Sequence, residues 1–326
     1  MSCCHPGGPA RDGADESPTV EQNGILGSGL HLVETVSVPA GVFDMGDAFG
    51  EGYRTDGETP VHEVELNAFS IDTTAVTNAA FASFVAATGH RTDAETFGGS
   101  AVFHTYATAP GRPVPGTPWW LAVDGASWRH PAGPGSTLDG LADHPVVHVS
   151  HRDAQAYCDW AGRALPTEAQ WEYAARGGRR GARYPWGDEP PTADDPRCTI
   201  FRGDFPNEPT GPVGTTPVRT FEPNGHGLYQ CAGNVWEWCA DRFSARYYRV
   251  SDRTDPSGPA RGSARVLRGG SHLCHDSYCH RYRVAARSHN TPESTASNIG
   301  FRTVSPPGHP TGTDLHRGQL SHQTVC

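Results

Sequence analysis

Apolar and polar positions along this chain fall into short, sharply bounded runs. Near the start, Val36 to Val38 and Val42 to Met45 read as strands, and Val61, Val64 and Leu66 space out a third. Helical spacing first appears at Phe81, Phe84, Val85 and Thr88, a single face that Thr77 caps and Gly89 ends. It returns at Ala154, Tyr157, Cys158 and Ala161, behind Ser150 and Asp153 at capping-box spacing. A third helix follows Pro166, with Thr167 and Gln170 as its capping box, Trp171 and Ala174 facing inward, and Gly177 as its stop. Between Arg91 and Asp143 no period holds, which predicts irregular chain anchored by Trp119, Trp120 and Trp128. Beyond Gly177 only short strands and loops are expected, an unusual length of irregular chain for a compact domain. Such a segment needs something besides regular hydrogen bonding to hold it, and bound cations are the expectation.

Composition narrows the class. The 326 residues suit one large domain or two small ones, with 39 glycines and 28 prolines favouring turns. No linker divides the chain, so the expectation is a single α+β domain over residues 34–305, with disordered tails at 1–33 and 306–326. The net charge of −10 argues against nucleic acid as a partner. All 26 basic residues are arginines, which reads as coding bias. No apolar run reaches transmembrane length and the N-terminus lacks a signal-peptide core, so neither membrane nor export is expected, and the location is cytoplasmic. Nine cysteines do not make a secreted disulfide framework. Cys3, Cys4 and Cys326 fall in the polar tails, while Cys158, Cys198, Cys231 and Cys239 read as reduced, part-buried thiols.

The chemistry concentrates between Arg265 and Arg302. Cys274 and Cys279 stand there with four residues between them, among His272, His275, His280, Arg281, Arg283, Arg287, Asn290 and Asn298. Three readings are open: a short-loop disulfide or unrelated thiols, a zinc site completed by histidine, or two thiolates on a soft metal. The spacing does not match a zinc finger, and adjacent Cys–His pairs rarely both ligate. Two thiolates with few other ligands favour Cu(I) over hard cations. Gly233 to Trp238 reads either as a strand carrying a surface Glu237 or as a source of calcium oxygens. His144, His148 and His151 span a strand-like run and a helix start, so they do not share a face as a metal triad would.

The run from Leu267 to Arg302, LRGGSHLCHDSYCHRYRVAARSHNTPESTASNIGFR, closely resembles the formylglycine-generating enzymes. So do Ile71 to Asn78, Pro118 to Trp120, His144 to Ser150, Leu165 to Tyr173 and Gly233 to Trp238; the likeness spans about Val36 to Thr303. It implies a single α+β domain, distantly like C-type lectins and of the prokaryotic type. It also implies a Cu(I)-dependent oxidase that converts the cysteine of a C-x-P-x-R motif in unfolded sulfatases to Cα-formylglycine, with O₂ and a thiol reductant. A peptide-binding module of the same fold without catalysis is the alternative.

By the same resemblance Cys274 and Cys279 hold the copper, and Ser271 and Trp236 stand beside it. His275, Arg287, Asn290 and Asn298 line the substrate groove, with loop stapling the competing reading for Arg287 and Asn298. Calcium is implied at Gly233, Val235 and Glu237, although Gln230 replaces the usual asparagine. At a second calcium site Ile200 is kept while Thr199 replaces another asparagine. Val284 and Thr303 stand where secreted relatives carry disulfide partners.

Overall fold

The computed structural model describes residues 29–306. Strand β1 (Thr35–Val38) pairs antiparallel with β4 (Phe69–Asp72), and β2 (Gly41–Met45) with β3 (His62–Leu66). Helix α1 (Asn78–Thr88) begins where the Thr77 side chain accepts the Ala80 N–H, and stops at Gly89, whose φ of 68° suits glycine. Helices α3 (His151–Ala161) and α4 (Glu168–Ala175) carry the two capping boxes expected from Ser150–Asp153 and Thr167–Gln170.

The stretch after Arg91 is more regular than its pattern suggests. It holds a short helix α2 (Asp93–Phe97), with its own Thr92–Glu95 capping box, and strands β5 (Gly99–Phe103), β6 (Arg112–Val114) and β7 (Thr117–Asp124). These strands form one sheet in the order β5-β7-β6. Pro113, which argues locally against a strand, is tolerated because β6 lies at the sheet edge. Trp120 and Trp128 are buried anchors as expected, and Trp119 is half-buried.

The C-terminal half contains a two-residue hairpin, β8 (Gly203–Asp204) with β9 (Glu208–Pro209), and then the sheet that positions the site. That sheet joins β10 (Trp236–Arg242), β11 (Arg265–Arg268), β12 (Arg287–Asn290) and β13 (Ile299–Gly300) in the order β12-β11-β10-β13. One apolar cluster packs α1, α3 and the β5–β7 sheet against Trp236, Trp238, Cys274 and Cys279. A second packs the N-terminal strands against α4, Val266 and Val284.

Buried guanidinium–carboxylate pairs cross-link the loops. Arg268, Arg283, Arg287 and Arg302 are among the largest fully buried side chains. Arg268 bonds both Glu168 and Glu172, Arg283 takes both oxygens of Glu58, and Arg302 takes both oxygens of Glu237. Removing one member of such a pair costs about 3–5 kcal/mol, because the other charge is left buried. Several arginines are thus structural cross-links, which reading them as coding bias overlooks.

Gly29 and His31, within the expected tail at 1–33, are held against the domain. Gly29 N–H donates to the Trp160 carbonyl, and the His31 ring bridges Tyr157 and Asp72. Residues 1–28 and 307–326 of the expected tails lie outside the described residues.

Candidate active site

Strand β11 runs into Gly269 and Gly270, which have φ of 94° and 72°. A side chain at Gly270 would meet the Arg281 carbonyl at 2.8 Å and Tyr282 Cα at 3.0 Å. Only glycine lets the two ends of the following loop touch there. The loop between them carries both cysteines. Cys274 N–H donates to the Ser271 carbonyl, and Tyr278 and Cys279 N–H groups to the His275 carbonyl, which turns the two sulfurs toward each other. Phe201 N–H ties the loop to the neighbouring chain through the Cys274 carbonyl.

The sulfurs are 3.4 Å apart, and both cysteines are 1% exposed. That separation excludes a bond between them, since S–S is about 2.05 Å. Cys274 is a free thiol, and Cys279 is disulfide-bonded. Each sulfur takes an N–H donor. Ser271 N–H reaches Cys274 Sγ at 3.4 Å, and Arg281 Nη1 reaches Cys279 Sγ at 3.7 Å. Burial pushes the Cys274 thiol up to about 11, while the Ser271 N–H and the Arg281 charge pull it down. At neutral pH Cys274 therefore keeps its proton until something displaces it.

Of the side chains expected beside the pair, Ser271 adjoins Cys274 through its own backbone N–H, and Trp236 belongs to the same large apolar cluster. Ser271 is fully buried, and its Oγ accepts from Asn298 Nδ2 at 3.0 Å. Trp236 is fully buried in the same cluster, and its backbone N–H donates to the Asn298 carbonyl. His275 is half-buried, with Nδ1 2.8 Å from Ser277 Oγ and its ring stacked near Phe205.

One expected groove residue is placed differently. Arg287 is fully buried, chelates Glu168 through Nε at 2.5 Å and Nη2 at 2.8 Å, and lies over Tyr248. That side chain is committed to stapling, the competing reading for it. Asn290 pairs with Arg265, three residues along β12 from the Arg287–Arg268 pair that adjoins the loop, and its Oδ1 accepts from Thr291 N–H.

Sequence reasoning missed Asp56 and named Arg281 near the cysteines without giving it a role. Arg281 Nε donates to Asp56 Oδ2 at 2.5 Å, and its guanidinium lies over Tyr53. Asp56 is 225 positions away, so no local pattern announces it. Arg281 itself, two residues past Cys279, was the available signal.

The metal readings can be tested on the donor sets. Zinc finds no gathered ligand set: His275 Nδ1 bonds Ser277 and His280 Nε2 bonds Tyr184, while His272, whose Nδ1 bonds the Asn234 carbonyl, keeps a buried Nε2 without a hydrogen-bond partner. His144, His148 and His151 do not converge; His144 bonds Thr215, and His148 bonds Ser100 and the Pro131 carbonyl. Among the described residues no three His, Cys, Asp or Glu side chains gather for a metal. Two close, buried sulfurs do fit a soft ion that accepts few ligands.

Calcium does not fit. Both Glu237 oxygens are taken by Arg302, and Oε2 also accepts Trp171 Nε1, so the carboxylate is already neutralised. At the neighbouring position, next to Ile200, Thr199 Oγ1 bonds Thr216 Oγ1 at 2.6 Å, and both hydroxyls lie 3.3 Å from Gln230 Oε1. Gln230 Nε2 donates to the Pro217 carbonyl, and Asn234 brackets the Thr216 backbone on both sides. Gly233 and Val235 remain as backbone of this uncharged knot.

Comparison with known proteins agrees with this picture. The sulfatase-modifying factor enzyme 1-like domain matches residues 28–306. The chain belongs to the formylglycine-generating enzyme family. The formylglycine-generating enzyme of Streptomyces coelicolor is 61% identical over 274 residues, covering 82% of this chain and 87% of that one. That of Thermomonospora curvata is 54% identical, covering 83% and 93%. The structure of PvdO from Pseudomonas aeruginosa superposes with a TM-score of 0.60 at 24% identity, over 83% of this chain and 94% of that one. The fold is therefore the C-type-lectin-like α+β arrangement expected of this family, and the cysteine loop lies inside the matched region.

Proposed function

We propose that this chain oxidises the cysteine of a C-x-P-x-R motif in an unfolded or nascent sulfatase to Cα-formylglycine, and so activates the sulfatase. Family membership supports sulfatase maturation, and the observation that carries the oxidase reading is the buried Cys274–Cys279 pair. Cu(I), held by those two sulfurs, would supply a soft centre at which the substrate thiol and O₂ meet. Holding it requires Cys274 to lose its proton and the Cys279 disulfide to be reduced first.

The chain's own groups then do three things. Arg281 places a positive charge beside a site that becomes anionic when two thiolates form. Ser271 presents an Oγ fixed by Asn298 next to Cys274. Trp236 and its cluster keep the pair dry, which protects reactive sulfur from side reactions. Half-buried His275 is the groove residue with access to a substrate peptide, Asn298 acts from the buried side through Ser271, and Arg287 is held by Glu168. The overall change is balanced if the substrate CH₂SH, O₂ and two hydrogen equivalents from a thiol reductant give an aldehyde, hydrogen sulfide and water.

We infer a cytoplasmic setting, supported by the free thiols of Cys158, Cys198, Cys231 and Cys239. No helix among the described residues is long and apolar enough to cross a membrane.

The test is to incubate the reduced, Cu(I)-loaded protein with a C-x-P-x-R peptide, O₂ and a thiol, and weigh the peptide by mass spectrometry. Aldehyde formation that is lost without copper, and lost in a folded Cys279→Ser variant, is the expected result. A peptide that binds but leaves unmodified would instead support a binding module of this fold.

A further inference from the structure

The disulfide at Cys279 needs a partner that the described residues do not supply. The chain has nine cysteines. Cys158, Cys198, Cys231, Cys239 and Cys274 are free thiols, and Cys279 is bonded. Cys3, Cys4 and Cys326 remain, all outside the described residues. Reach does not separate them. At about 3.3 Å per residue, the chain from Cys4 to Gly29 stretches to roughly 80 Å and that from Pro306 to Cys326 to roughly 65 Å. A domain of this size has a radius of gyration of only about 19 Å.

The sequence around each cysteine does separate them. Cys4 is followed by His5 and Pro6, so it opens with the first three positions of C-x-P-x-R, the motif read above as the target. Neither Cys3 nor Cys326 has a proline two residues on. Gly8 stands where the motif has its arginine, and Arg11 is the first arginine of the segment. The surface beside Cys279 suits a Cys-x-Pro run. Tyr278, the residue before it, is half-buried and stacks on Phe205 at 4.6 Å and 11°, with Trp119 edge-on to it at 5.0 Å and 83°. Partly exposed aromatic rings receive proline rings. A cysteine bonded to Cys279 keeps the residue two positions on within about 7 Å of itself along the chain, close to those rings.

We propose that segment 1–11 is an internal mimic of the substrate, and that Cys4, joined to Cys279 by a disulfide, caps the site. The proposal rests on the reading that the groove takes C-x-P-x-R. The bond forms by exchange with a small disulfide such as oxidised glutathione. The Cys4 and Cys279 thiols lose two protons and two electrons, and the small disulfide becomes two thiols. Two thiols of a reductant reverse the step and leave as one disulfide. While the bond stands, Cys279 has no thiolate to give a metal, and a substrate cysteine finds the pair occupied. Because Gly8 replaces the arginine, the mimic lacks one anchor of the motif. The site therefore opens where thiols prevail, the condition that also supplies the reductant of the proposed reaction.

Peptide mapping of the full-length protein, treated with oxidised glutathione and handled without reductant, tests the bond. Cleavage after arginine by trypsin yields residues 1–11, 269–281 and 318–326 as separate peptides. Mass spectrometry should find 1–11 joined to 269–281 in wild type and in Cys3→Ser, and not in Cys4→Ser. Pro6→Ala should lower the yield of the joined peptide several-fold at a fixed ratio of thiol to disulfide. No joined peptide, joining to 318–326 instead, or equal joining in Cys4→Ser overturns the cap, and an unchanged yield in Pro6→Ala overturns the mimicry. Cu(I) uptake is then measured anaerobically against a chromophoric chelator. Wild type carrying the bond should take up none, and reduced wild type should take up one ion. Uptake with the bond intact overturns the cap. Joined peptides with no uptake by the reduced protein mean that the copper reading fails and the cap stands.

Discussion

Arg281 brings its Nη1 to 3.7 Å from the Cys279 sulfur while Asp56 holds its Nε at 2.5 Å. A residue from the early loop thus fixes a guanidinium that touches the cysteine pair. A hydrogen bond to a charged group contributes about 1.5–3 kcal/mol, and each 1.4 kcal/mol is about tenfold in affinity. Arg281→Met should therefore weaken Cu(I) binding by roughly tenfold or more, and Arg281→Lys should recover part of it. Competition with a chromophoric Cu(I) chelator, without turnover, measures this. Equal affinity in Arg281→Met and wild type would remove Arg281 from the site.

The Arg287–Glu168 chelate predicts a fold defect where groove lining predicts a binding defect. Arg287→Ala should lower stability by about 3–5 kcal/mol, since Glu168 stays buried with less compensation. Urea unfolding gives the answer. A stable Arg287→Ala protein with a raised KM would restore Arg287 to the groove.

The uncharged knot of Thr199, Thr216, Gln230 and Asn234 occupies the region where calcium is expected from the resemblance. Chelation with EDTA should leave Tm unchanged, and added calcium should not raise it. Thr199→Val should destabilise by about 1 kcal/mol through the lost hydrogen bonds. A Tm that falls with EDTA and is restored by calcium, and not by magnesium, would refute this.

Asp241 supplies a pH dependence. Burial, and then the Glu168 charge, raise it to about 7, although its carboxylate accepts the Glu168 N–H. Unfolded, it titrates near 3.9. Between about pH 4 and 7 the folded chain holds a proton that the unfolded chain has released, so this group's contribution to stability is lost as pH rises through that window. The steepest slope is about 1.4 kcal/mol per pH unit. Asp241→Asn should flatten the decline of Tm from about pH 5 to 7.5 and raise Tm at the upper end. Parallel curves for the two proteins would contradict the assignment.

The chain by itself determined what depends on neighbours in sequence. Caps at Thr77, Ser150 and Thr167 are satisfied within three residues, so the starts of α1, α3 and α4 were legible, while α4 stops at Ala175, short of the expected Gly177. The cysteine loop was legible too, because its turn glycines and both sulfurs lie within one short run. The tertiary structure alone decided what depends on distant partners. Pro113 could be a strand residue only at an edge that β7 creates. Arg287 became a staple because Glu168, 119 positions earlier, neutralises it, and Arg281 became a site residue because Asp56, 225 positions earlier, aims it. Guanidinium groups look alike in sequence, and only the buried carboxylate each one meets separates a cross-link from a groove residue.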